Sequence, residues 1–150
     1  MLKKVLISLT IIVLSAMIFL FGFSDSYKYS LEAKVKYAMG DYKGAMSLAK
    51  KAFELDPYNK MSFSILTQSK ISIKFLDYIE DAKNYLQKID AISKKRDLNN
   101  SDTIKIKMIC EVMIGRYKKL APTVLTPKEL VQKSQKYYKE FQTIYENLDK

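Results

Sequence analysis

The chain has 150 residues, enough for one domain, with only 4 Gly, 3 Pro, 1 Cys and no His. Scarce turn formers argue against a sandwich or barrel and for an all-α fold. Lys and Arg outnumber Asp and Glu by 26 to 16, a formal charge of +10, and the lysines are scattered, which reads as a solvated surface rather than a nucleic-acid groove.

The first element predicted is a hydrophobic helix. Lys3 and Lys4 precede nineteen uncharged residues, Val5 to Phe23, a run that at about 1.5 Å per residue nearly matches the ~30 Å core of a bilayer. The expectation is a transmembrane anchor over residues 1–25, spanning with residues 5–23. The alternative is a cleaved signal peptide, for which Gly22-Phe23-Ser24 is a poor cleavage site. The two lysines favour a single-pass topology, N-terminus cytoplasmic and C-terminal domain outside.

From Ser26 onward apolar residues follow helical spacing. Tyr27, Leu31, Val35 and Ala38 make one stripe. Gly40-Asp41 then supplies a helix stop and an N-cap. Tyr42, Ala45, Ala49, Ala52 and Phe53 make a second stripe that ends at Asp56-Pro57. Two helices joined by two residues form an antiparallel hairpin.

The segment YAMGDYKGAMSLAKKAFELDPYNK resembles the second half of a tetratricopeptide repeat. Gly40, Asp41, Tyr42, Ala45, Ala52 and Pro57 stand in the family's register. Small Ala45 and Ala52 let two helices approach, Tyr42 fills the gap at the turn, and Pro57 stops the second helix. In the first helix Ala33 takes the usual small position, but Lys36 stands where an aromatic is common.

A second unit is predicted with helices over 59–76 and 78–92, Ala82 taking the small position. A polar linker, 93–102, leads to a third unit starting near Asp102 or Thr103. Its helix is apolar on several sides through Ile104, Met108, Ile109, Val112 and Met113, and it ends in Gly115-Arg116-Tyr117, an echo of Gly40-Asp41-Tyr42. The repeats are thus expected over 26–121. A last helix over 122–150 starts at Thr126-Pro127-Lys128-Glu129, a capping box with Pro at the first helical position. Leu130, Ser134, Tyr137, Phe141, Ile144 and Leu148 follow at spacings of four and three. This seam suits a capping helix for the solenoid or, as the second reading, a self-associating one.

The expected fold is all-α: an N-terminal transmembrane helix, then a short α-solenoid of antiparallel helix pairs resembling tetratricopeptide repeats, then the C-terminal capping helix. The chain lacks the residues of a catalytic or metal centre. Without His it has no imidazole base or ligand, lone Cys110 cannot build a zinc site, and Gly40 and Gly44 both belong to one helix turn. No enzyme activity, cofactor or nucleic-acid ligand is expected. The resemblance implies that the concave face formed by the first helix of each pair binds another protein. Its candidate residues are Ser30, Lys34 and Tyr37 from the first unit and Ser64, Gln68 and Lys70 from the second. The expected function is a membrane-anchored protein–protein interaction module, a scaffold or accessory subunit of a membrane-associated complex. The alternative is a binding protein released by signal-peptide cleavage.

Overall fold

The computed structural model describes residues 2–22, 24–94 and 99–148, without the side chains at 2, 4, 5 and 18–22. The described residues form helices and their connections, with no strand. In chain order the helices are α1 (Leu2–Gly22), α2 (Asp25–Ala38), α3 (Tyr42–Leu55), α4 (Lys60–Ser93), α5 (Asn100–Tyr117) and α6 (Lys128–Leu148). They divide into two compact units, Met1–Lys70 and Ile71–Lys150, so α4 lends its first part to unit 1 and the rest to unit 2.

The transmembrane helix expected over residues 5–23 requires correction. Among the described residues no helix is long and apolar enough to cross a membrane. The single-pass localisation, with its cytoplasmic N-terminus, outward domain and membrane contact through residues 5–23, is withdrawn with it. Phe23, which ended the expected span, lies outside the described residues. Thr10 and Ser15 within α1 return their hydroxyls to the carbonyls of Ile7 (2.8 Å) and Ile12 (2.9 Å).

In unit 1, α2 and α3 form the hairpin that the Gly40-Asp41 turn demands. Gly40 has φ +83°, a conformation that costs an L side chain about 1–2 kcal/mol. The Gly40 amide donates to the Tyr37 carbonyl (3.1 Å) and the Asp41 amide to that of Lys36 (2.9 Å). This paired closure satisfies carbonyls the helix end would otherwise orphan. Asp41 then caps α3, its Oδ1 accepting from the Gly44 amide at 2.8 Å. The interface is built from small residues: Ala33, Ala45, Ala49 and Ala52 are fully buried, and Ile65 and Leu66 from α4 close the cluster over Ala33, Ala45 and Ala49.

Two further expectations change. Residues 59–76 and 78–92 were expected as separate helices, yet α4 runs unbroken from Lys60 to Ser93. No Gly or Pro stands near Asp77 to stop it, and Phe75, Tyr78, Ile79 and Ala82 keep one buried face across the expected turn. Ala82 is therefore buried inside a continuous helix, not in the second arm of a hairpin. Likewise Gly115-Arg116 stays helical within α5, with the only positive φ among described residues at Gly40. The echo in sequence is not an echo in backbone.

In unit 2, α5 packs on α6. Asn99 caps α5, its side chain accepting from the Asp102 amide at 2.8 Å, so α5 starts two to three residues earlier than Asp102 or Thr103. Residues 95–98 of the expected linker lie outside the described residues. Leu130, Ser134 and Phe141 of the α6 seam are buried, with Tyr137, Ile144 and Leu148 partly so. Arg116 pairs with Asp81 of α4 at 2.7 Å, and Tyr145 donates to Glu111 of α5 at 3.0 Å.

Candidate functional site

The site expected from the sequence lies on unit 1, and its geometry starts with α2. Ser26, Ser30 and Ala33 face inward and are buried. The expected stripe of Tyr27, Leu31, Val35 and Ala38 is not the buried one. Leu31, Val35 and Ala38 are exposed and Tyr27 is only partly covered.

A buried polar network explains the choice of face. Asn59 is 1% exposed. Its amide group donates to Ser26 Oγ and Ser30 Oγ, both at 2.9 Å. Ser26 Oγ donates in turn to the Ala52 carbonyl (2.8 Å) and Ser30 Oγ to the Ser26 carbonyl (2.8 Å). The Asn59 Oδ1 accepts from the amides of Met61 (3.1 Å) and Ser62 (3.3 Å), capping α4, while Ser62 Oγ donates to the Asn59 carbonyl (2.7 Å). One side chain thus ties α2, the end of α3 and the start of α4 together, with its own hydrogen-bonding capacity met. Larger residues at 26 and 30 would hold α2 too far from Asn59.

The six groove candidates therefore separate. Ser30 is fully buried and bonded to Asn59, so it is structural and unavailable to a partner. Lys34 is exposed. Tyr37 is half-buried, edge-on to Tyr42 with ring centroids 5.1 Å apart. On α4, Ser64 is exposed and Gln68 half-buried along one face. Lys70 is exposed but lies about 120° round the helix from Ser64, given 3.6 residues per turn, and does not share that face.

The repeat-packing residues occupy the hairpin. Tyr42, Ala45 and Ala52 are buried, whereas Pro57 is exposed just past α3. Asp41 holds Gly44 and also pairs with Lys36 Nζ at 3.0 Å. The Gly44 amide, and then the Lys36 ammonium, keep its carboxyl below the ordinary aspartate range, and Asp41 raises Lys36 in turn. A Cβ at Gly44 would meet the Asp41 carboxylate, so the capping geometry itself asks for glycine there.

The sequence singled out Leu31 and Val35 as a helical stripe but not as the outward face of α2. Leu31, Val35 and Met39, four residues apart, are 55%, 53% and 79% exposed. Phe63 of α4 is 58% exposed and packs only partly on Phe53, centroids 6.0 Å apart. The spacing of four was legible, but both faces of α2 carry the helical period, so periodicity alone could not choose between them. Among the described residues no group of three or more His, Cys, Asp or Glu is placed to hold a metal.

No family model, curated protein or solved structure matches this chain. The resemblance to tetratricopeptide repeats thus rests on the sequence alone, on Gly40, Asp41, Tyr42, Ala45, Ala52 and Pro57.

Proposed function

We propose that the chain is a protein–protein interaction module, a helical scaffold that binds through unit 1. The observation that carries this reading is the exposed apolar row Leu31, Val35 and Met39 on a helix whose opposite face is already packed. Contiguous exposed apolar surface on a folded unit is a usual mark of a partner site. The hairpin beneath it is held by backbone closure at Gly40, the Asp41 cap and the Asn59 network, so the row stands on a rigid support. Lys34, exposed beside the row, adds positive charge. A helix laid along α2 would read anchors at that spacing.

The test is capture by the full chain, with and without a charge in the row. Val35→Asp and Leu31→Asp change exposed positions, so the melting temperature should stay within about 2 °C, as for surface changes worth under ~0.5 kcal/mol. Proteins retained by the unaltered chain should be lost from both variants. Equal retention by all three chains would refute this surface.

A further inference from the structure

Unit 2 contains a second feature that the packing of α5 and α6 does not explain. The connection between these helices, Leu120 to Pro122, borders two hollows. One, of about 190 Å³, is lined by Tyr117, Tyr138 and Phe75 together with Lys118. The other, of about 300 Å³, is lined by Phe75 and Thr123 together with Lys74 and Lys119. Phe75, Leu120 and Pro122 line both. Each hollow is at or below the ~300 Å³ lower end of small-molecule sites, a size for a side chain rather than a cofactor.

The walls are fixed before any ligand arrives. Tyr117 stacks on Tyr138 with centroids 4.3 Å apart, and Tyr78 backs Tyr117 at 5.8 Å. The Arg116–Asp81 pair, at 2.7 Å, holds the end of α5 on α4. Both hollows have lysines in their lining, and no carboxylate is among the lining residues. Such a field favours a ligand that carries acids beside apolar groups.

We propose that these paired hollows bind an extended acidic segment of a partner protein. Its bulky apolar side chains enter the hollows, and its carboxylates meet Lys74, Lys118 and Lys119. The reading rests on the chain being an interaction module but uses a surface other than α2.

The probe is a short fluorescein-labelled synthetic peptide of acidic residues, with Leu and Phe two apart, titrated with the full chain and followed by anisotropy. A counterpart with Lys in place of each acid is the control. The acidic peptide should bind at least about tenfold tighter than the basic one, and its affinity should fall with added salt. Lys118→Glu combined with Lys119→Glu, both exposed positions, should reverse the preference without changing the circular dichroism spectrum. Pro122→Asp, at an exposed position that lines both hollows, should weaken the acidic peptide by a similar factor. Equal binding of the two peptides, no binding of the acidic one, or no response to charge reversal would each overturn the proposal. Val35→Asp should leave peptide binding intact. If it does while capture through α2 proves absent, the unit 1 reading fails and this one stands. If capture depends on α2 and the peptide does not bind, the reverse holds.

Discussion

The two units solve the same problem with opposite materials. Unit 1 joins α2 and α3 through alanine and serine, and closes the contact with one buried asparagine whose bonds are all made. Unit 2 fills its interior with Phe75, Tyr78, Met113 and Phe141. Each unit also buries hydroxyls without hydrogen-bond partners among the described residues, Ser69 Oγ in unit 1 and Tyr78 Oη and Ser134 Oγ in unit 2. Small residues demand close approach. Large ones supply apolar area whose exposure on unfolding outweighs an orphaned hydroxyl.

The largest effect should come from the aromatic side. Phe141→Ala removes a fully buried ring and should destabilise unit 2 by about 3–5 kcal/mol, read as faster amide exchange in α5 and α6 with α2 and α3 little changed. Loss of protection throughout the chain would show that the units do not unfold separately.

Asn59→Leu attacks the polar side. It strands Ser26 and Ser30, removes the α4 cap and should cost unit 1 about 2–4 kcal/mol in urea unfolding. A smaller cost than at an exposed cap would mean the network is decoration on an apolar core.

Ala45→Leu puts bulk where the helices touch and should cost about 1–3 kcal/mol. A neutral result would contradict the close α2–α3 approach.

Tyr78→Phe should go the other way. Burial, with Tyr117 and Tyr138 adding to it, pushes the Tyr78 phenol well above its ordinary pKa, and removing an unpartnered hydroxyl should leave the melting point unchanged or raise it, by up to about 1 kcal/mol of stability. Destabilisation would reveal a partner for that hydroxyl.

The smallest effect concerns Asp41. Its folded pKa lies below the ordinary value, so its cap contributes fully at neutral pH and is lost as pH falls through that lowered value. A pH titration of thermal stability should show an acid-side loss in the wild type that Asp41→Asn lacks. The buried Cys110 gives a companion check for unit 2. Burial raises its thiol to about 11, so alkylation at neutral pH should be slow until the unit opens.

The sequence alone determined the turn at Gly40-Asp41, the alanine face of α3 and the start of α6 near Pro127. Those features depend on residues close in the chain: a positive φ only glycine takes easily, an acid that reaches its own helix N-terminus, a ring that ends one helix and begins another. Tertiary structure decided the rest. Leu31 and Val35 look like core residues until Asn59, 28 and 24 positions later, draws the serine face of α2 inward. Nothing local at Asp77 says whether the chain turns, and the buried row from Phe75 to Ala82 keeps α4 straight through it. The hydrophobic N-terminal run had the composition of a span, yet among the described residues no helix is long and apolar enough to cross a membrane. Composition and periodicity fix which residues can be buried. Which face of a helix is buried depends on a partner that arrives from elsewhere in the chain.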